Sequence, residues 1–137
     1  MDNDKLKYAE IQFSNFVSLK NDFKMVYAVL LGAHKTIESI LRVLSEKKNG
    51  RYAKTRNLKI LMRDCKEPEL YKRYYELLDV LTNTYFTITY DSEIKENINN
   101  EKFEKIIKDT IELYYKLHDL IENTTITKIN SFTKVRR

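Results

Sequence analysis

Glycine and proline are scarce in this sequence of 137 residues, which contains two glycines and one proline. Folds built from β-strands use both residues in their turns, so the scarcity argues against an all-β protein. Long helices joined by short connections need few of either residue. At this length we expect one hydrophobic core, and the sequence therefore predicts a single domain.

Other absences narrow the class of protein further. The single cysteine, Cys65, excludes an internal disulfide bond. No apolar run approaches the roughly 20 residues that a membrane-spanning helix needs, and no stretch has the order of regions found in a signal peptide. Two isolated glycines also exclude a glycine-rich phosphate loop. These absences predict a soluble, cytoplasmic protein without a membrane partner.

Apolar residues recur at intervals of three and four, which is the period of one face of an α-helix. The longest such pattern covers residues 22–48 and predicts a central helix, in which Gly32 indicates close approach by another helix. We predict an all-α, up-and-down bundle of about five helices, with a short helix after the long central one. The predicted helices cover residues 3–20, 22–48, 56–66, 68–85 and 100–123.

Local signals predict where some of these helices begin and end. Gly50 can adopt the left-handed backbone that closes the central helix. Thr55 is a typical cap for the short third helix. Pro68 suits the first turn of the fourth helix, where its missing N–H has no partner to lose.

Two stretches lack a helical period. Residues 86–100 are polar and predict a loop, at the end of which Asn99 or Asn100 caps the last helix. Residues 124–137 predict a tail that is either disordered or extended. The predicted organisation is therefore a helical bundle over residues 1–123 followed by a basic C-terminal tail.

Positive charge is concentrated in two places, although the net charge is only +5. Residues 47–66, here called the basic connection, hold eight basic residues and one acid, a local charge of +7. The tail of residues 124–137 adds four basic residues and no acid. Such clustering indicates either a surface for an anionic partner or a charged helix–loop junction that is simply solvated.

Lysine and arginine neutralise phosphates, and an aromatic ring can stack on a base. The basic connection carries both kinds of side chain, and a tyrosine further along the chain is expected across from it. We therefore predict a surface that binds nucleotide or RNA. Its candidate contact residues are Arg51, Tyr52, Lys54, Arg56, Asn57, Lys59, Arg63 and Tyr90.

Two histidines precede a glutamate by four residues, His34 with Glu38 and His118 with Glu122. Facing each other in a bundle, the two pairs could hold a metal, but the apolar stripes lack the extra carboxylates of such sites. Pairing along the surface of one helix is the favoured interpretation. Cys65 is expected to be a packed side chain. We thus predict no metal, no cofactor and no catalytic residue.

The sequence contains ten tyrosines, and three of them lie off the apolar stripes of the predicted helices. Tyr71, Tyr75 and Tyr115 would form a large exposed aromatic area, which is typical of a protein interface. The alternative is that they lie at the boundary of the core.

The order of parts resembles the HEPN family of helical domains associated with nucleotides and RNA, over residues 27–120. AVLLGAHKTIESILRVL is similar to the family's long helix. TRNLKIL at 55–61 resembles the Thr-His-Asp-Leu opening of its next helix. LLDVLTNTYFTITYDSE at 77–93 resembles a Leu-Leu helix that ends in a Tyr-Tyr, Arg-Tyr-Pro loop. The resemblance implies a helical bundle, often dimeric, that is often paired with a small nucleotidyltransferase or belongs to a toxin–antitoxin system.

Departures from the family pattern bear on catalysis. Family ribonucleases use an arginine followed four to six residues later by a histidine, and no arginine stands at that distance before His34 or His118. Arg56 replaces the histidine of the Thr-His-Asp-Leu opening, which keeps a phosphate donor and discards proton transfer. The resemblance therefore implies a non-catalytic binder of nucleotide or RNA. An oligomeric interaction module without nucleic-acid binding and a degenerate ribonuclease are the alternatives.

Overall fold

The computed structural model of the protein describes residues 2–22, 25–90 and 98–135, with side chains over 4–22, 25–90 and 98–123. Within these ranges the chain forms six α-helices and no strand. The helices are α1 (Asp2–Leu19), α2 (Val26–Asn49), α3 (Leu58–Asp64), α4 (Pro68–Arg73), α5 (Tyr75–Tyr90) and α6 (Asn100–Val135). The predicted all-α fold with a short helix after the long central one is confirmed. None of the described helices is long and apolar enough to cross a membrane.

Helix α2 lies at the centre and packs against α1, α3, α5 and α6. Its side chains Ile37, Ile40, Leu41 and Leu44 are completely buried, because their spacing of three and four places them toward the surrounding helices. Gly32 faces α1, but a β-carbon there would lie 3.8 Å from Cδ1 of Phe16, an ordinary contact distance, so the approach of α1 does not require glycine.

Several helix ends follow their predicted signals. Gly50 closes α2 with a left-handed backbone (φ 79°), and Pro68 stands in the first turn of α4. Oδ1 of Asn99 accepts a hydrogen bond from the backbone N–H of Lys102 at 2.8 Å, which caps α6. The cap of α3 is Asn57 rather than Thr55.

The predicted fourth helix is in fact two helices, since α4 ends before Tyr74 and α5 begins after it. Helix α5 also continues to Tyr90, so the predicted loop was wrong over residues 86–90. The rings of Phe86 and Tyr90 stack one turn apart, with centroids 5.8 Å from each other, and such i,i+4 pairs stabilise a helix. Residues 98 and 99 of that predicted loop are non-helical, and residues 91–97 lie outside the described residues.

The backbone of α6 remains helical to Val135, so the prediction of a disordered or extended tail was wrong for residues 124–135. No glycine or proline follows Asn123, and the chain thus lacks the residues that usually end a helix. The division into a bundle and a basic tail stays a prediction.

Candidate nucleic-acid interface

The basic side chains Arg56, Lys59 and Arg63 lie three and four residues apart at the start of α3 and along it, which is the spacing of one helix side. The other side of the helix is fixed in the core, where Leu58, Leu61 and Met62 are completely buried. The N-terminus of the helix is held as well. The backbone N–H of Leu58 donates to Oγ1 of Thr82 at 3.1 Å, and Oδ1 of Asn57 accepts from the N–H of Lys59 at 2.9 Å.

Each of the three basic side chains lies near the ring of a tyrosine from α4 or α5. The pairs, with the distance from the charged group to the ring centroid, are Arg56 with Tyr85 at 5.9 Å, Lys59 with Tyr75 at 5.6 Å and Arg63 with Tyr71 at 5.9 Å. The rings of Tyr71 and Tyr75 also meet edge to face at 5.8 Å. Each cation therefore lies beside an aromatic ring on this surface, and we call these six residues the cation–tyrosine stripe.

Arg56 is anchored by the carboxylate of Glu38 on α2, and the Glu38 side chain is only 1% exposed. Nη1 of Arg56 donates to Oε1 and Oε2 of Glu38 at 3.1 and 3.0 Å, and Nη2 of Arg42 donates to Oε2 at 3.0 Å. The charge of Glu38 raises the pKa of Arg56 above its ordinary value. The Arg56 side chain is nevertheless 44% exposed, so it remains accessible to a ligand.

His34 is buried behind Arg56. Its Nε2 lies 2.9 Å from the backbone carbonyl oxygen of Arg56, and since a carbonyl only accepts, Nε2 donates. The imidazole stacks on the ring of Tyr85, with centroids 4.4 Å apart. Burial lowers the pKa of His34 below its ordinary value, although the hydrogen bond to Arg56 and the charge of Glu38 oppose this. The predicted surface pairing of His34 with Glu38 was therefore wrong, because both side chains are buried.

Lys59 and Arg63 are held by weaker, more exposed contacts. Nζ of Lys59 donates to Oδ1 of Asp79 at 2.7 Å, and this bond raises the pKa of Lys59. Nη2 of Arg63 lies 3.5 Å from the hydroxyl oxygen of Tyr71, which raises the pKa of Arg63. Both side chains thus stay charged while packing beside aromatic rings.

The family model of the HEPN domain matches residues 4–120. The chain belongs to the HEPN domain family. The match starts in α1, before the stretch of residues 27–120 on which the sequence resemblance rested, and ends in α6. No curated protein and no solved structure matches the chain. Membership indicates a function related to nucleotides or RNA in general.

Other predicted contact residues lie at different places on this HEPN domain. Arg51 is exposed and lines a polar pocket together with Arg63. Tyr52 lines a separate pocket between α1 and α2, where Nζ of Lys5 and Cζ of Arg42 lie 5.4 and 5.2 Å from its ring centroid. Lys54 is exposed in the loop between α2 and α3.

Tyr90 is the last residue of α5, and its predicted place across from the basic connection stays a prediction. Its side chain is 74% exposed, and its hydroxyl is close enough to Arg56 to contribute to the raised pKa of that residue. Asn57 has a structural task, because its side-chain oxygen caps α3.

The three tyrosines predicted as an interface do not share one cluster. Tyr71 and Tyr75 belong to the cation–tyrosine stripe, whereas Tyr115 on α6 contacts Phe13 of α1, with ring centroids 5.3 Å apart. Tyr115 is 54% exposed. Three of the predicted contact residues, Arg56, Lys59 and Arg63, and two of the predicted interface residues are therefore parts of the same surface.

The second histidine pairs as the sequence predicted. Nδ1 of His118 lies 3.1 Å from Oε1 of Glu122, and Nε2 lies 2.8 Å from Oε2 of Glu10 on α1. Ligand atoms of His118, Asp119 and Glu122 lie within 4.8 Å of one another. Exposed groups of this kind are common without a metal ion, and Nε2 of His34 contacts the backbone carbonyl of Arg56 instead.

Sequence reasoning missed Glu38, Arg42 and Tyr85 as parts of the site. One signal for Glu38 was available, since it stands between Ile37 and Ile40 of the apolar stripe of the central helix. A carboxylate at such a position needs a cationic partner when it is buried. The identity of that partner is set by packing between helices.

Proposed function

We propose that this HEPN domain binds single-stranded RNA, or a nucleotide, along the cation–tyrosine stripe without cleaving it. The observation that carries the proposal is the repeated pairing of a basic side chain with a tyrosine ring along α3. Single-stranded nucleic acid offers phosphates to the cations and base faces to the rings, and aromatic stacking tolerates any base. The stripe therefore suits a single strand that is recognised through its phosphates and the faces of its bases, with little preference for base sequence.

Three features of the histidines support binding without cleavage. His34 is 2% exposed and donates its Nε2 proton to the protein backbone, so it does not reach a bound ligand. His118 contacts the carboxylates of Glu10 and Glu122. A ribonuclease instead needs an arginine that stabilises the negative charge on the phosphate. The arginine–histidine spacing of family ribonucleases is missing from the sequence as well.

We further propose a nucleotidyltransferase-like protein as partner, in a toxin–antitoxin type of system, and a homodimer as the working form. The family resemblance supports the first. The second is supported by Ile11 and Tyr115, which are 56% and 54% exposed on α1 and α6. Light scattering tests the dimer, and a strict monomer at all concentrations would contradict it.

Fluorescence anisotropy with a labelled single-stranded RNA, and competition with ATP, test binding to the stripe. Tyr75, which is 43% exposed, can be replaced with little effect on the core, and Tyr75→Ala should weaken RNA binding by about 1–3 kcal/mol if one base stacks there. Tyr8→Ala is the matched control, since it removes a tyrosine of α1 that is 46% exposed and lies outside the stripe, and it should leave affinity unchanged.

Salt dependence provides a second measurement. Each phosphate contact with a single strand contributes about 0.7 to the slope of log affinity against log salt concentration. Replacing Lys59 and Arg63 together by glutamine should therefore reduce the slope by about 1.4. The proposal is overturned if RNA and ATP fail to bind at low salt, or if these variants and Tyr75→Ala bind as tightly as the parent protein.

A further inference from the structure

A polar pocket of about 530 Å³ lies at one end of the stripe, where α2 and α3 both end. We call it the basic pocket. Four of its lining residues are basic and one is acidic. They are Lys48, Arg51, Arg63, Lys66 and Asp64, with Asn49 as the sixth. The pocket and the stripe share Arg63, so a ligand on the stripe can continue into the pocket.

Basic side chains near helix C-termini often donate hydrogen bonds to the unpaired carbonyl groups there. Three of those carbonyls already have donors from the protein. The carbonyl of Glu46 accepts from the N–H of Gly50 at 2.7 Å, that of Asp64 from Nδ2 of Asn49 at 2.8 Å, and that of Arg63 from the N–H of Lys66 at 3.1 Å. These three carbonyls therefore need no basic side chain as a cap.

The charges in the pocket are also only partly neutralised by neighbouring acids. Lys48 forms an ion pair with Glu67, and Arg63 contacts the hydroxyl of Tyr71. Across the described parts of the chain, no acid forms an ion pair with Arg51 or Lys66. The pocket thus holds an excess of positive charge in a concave space.

The excess charge indicates which part of an RNA fits the pocket. A phosphodiester within a strand carries one negative charge, whereas a terminal phosphate monoester carries about 1.5 to 2 at neutral pH and offers three oxygen acceptors. We propose that the basic pocket binds a terminal phosphate of the RNA whose bases lie on the stripe. This inference rests on the proposed function and adds a preference for phosphorylated ends.

Lys66 can be replaced without loss of stability. It is the one non-glycine residue with a positive φ among the described residues (φ 57°), and a left-handed backbone disfavours every residue except glycine. Lys66→Gly should therefore fold at least as well as the parent, with an equal or higher melting temperature, while it removes one cation from the pocket. Arg51→Gln removes a second, exposed cation.

The experiment compares three forms of one short RNA, bearing a 5′-phosphate, a 3′-phosphate or hydroxyl groups at both ends. One phosphorylated form should bind about tenfold more tightly than the hydroxyl form, the effect of one charge-assisted hydrogen bond. Lys66→Gly and Arg51→Gln should each reduce this preference, and they should change the affinity for the hydroxyl form much less. Lys108→Gln on α6, which removes an exposed lysine that lines a different pocket, is the matched control and should keep the preference.

The outcomes separate this inference from the proposed function. Equal affinity for the three forms would overturn the terminal-phosphate inference and leave RNA binding by the stripe intact. A preference that survives in both pocket variants would also overturn it. If none of the three forms binds, the proposed function itself fails.

Discussion

Nη1 of Arg56 donates to both carboxylate oxygens of Glu38, at 3.1 and 3.0 Å, and only 1% of the Glu38 side chain is exposed. One contact thus joins the centre of α2 to the residue that begins the cation–tyrosine stripe. Its two partners are 18 residues apart. Glu38 therefore acts on both the stability of the core and the position of a surface cation.

Replacing Glu38 by glutamine should lower the free energy of unfolding by about 2 kcal/mol, because hydrogen bonds to a charged group become neutral ones. Arg42 and Arg56 also lose the negative charge that they share. Urea denaturation followed by circular dichroism measures the change. RNA affinity should fall as well, since Arg56 is no longer held at the stripe.

Asp109→Asn is the control for this experiment. It breaks an ion pair with Lys105 on α6, in which the lysine is 67% exposed, and exposed pairs contribute between about 0 and 1 kcal/mol. A loss for Glu38→Gln no greater than that for Asp109→Asn would show that the buried carboxylate does not stabilise the fold.

The sequence predicted those features that a few neighbouring residues determine. Gly50 ends α2 because its backbone becomes left-handed, and Pro68 begins α4 because its ring fits the first turn. Similarly, the spacing of Leu58, Leu61 and Met62 shows which side of α3 is buried. Each of these signals lies within a turn or two of the structure that it specifies.

Features that depend on packing between helices were not predictable in this way. The break at Tyr74 has no glycine or proline beside it; the residue is buried, and its hydroxyl lies 3.5 Å from Oε2 of Glu112 on α6. Likewise, Lys59 meets Tyr75 only because α3 packs against α5. In the sequence the basic residues and the tyrosines lie in separate stretches, and the packing of the helices brings them together.

The two glycines should respond in opposite ways to alanine. Gly32 lies inside α2, where an added β-carbon meets Phe16 at an ordinary contact distance of 3.8 Å, so Gly32→Ala should stabilise the protein by about 0.5–1 kcal/mol. Gly50 has open space around it but a φ of 79°, so Gly50→Ala should destabilise it by about 1 kcal/mol. Thermal and urea unfolding measure both. Destabilisation by Gly32→Ala would mean that α1 cannot accommodate one more methyl group.

Cys65 should behave as an inert thiol in the folded protein. It is completely buried, and burial raises the pKa of the thiol to about 12. Because the thiolate is the reactive form, labelling with a thiol reagent at mildly alkaline pH should proceed only as fast as the protein opens. The same reagent under denaturing conditions gives the reference rate. Native labelling at that reference rate would contradict the buried position of Cys65.

His34 should make stability depend on pH. Burial lowers its pKa in the folded state below the ordinary value of 6.5, so below about pH 6.5 the unfolded chain binds a proton that the folded chain does not. The free energy of unfolding must then fall as the pH is lowered through this range. One proton contributes at most about 1.4 kcal/mol for each pH unit.

His34→Gln tests this directly, since glutamine retains an N–H donor for the carbonyl of Arg56 and cannot titrate. The charged neighbours Lys35, Glu38 and Arg56 remain in both proteins, so the difference between the two pH profiles isolates the imidazole. Urea denaturation between about pH 7.5 and 5.5 should show stability falling in the parent. In the variant, which starts less stable because it loses the stacking on Tyr85, the profile should be flatter. Parallel profiles would show that His34 does not resist protonation in the folded protein.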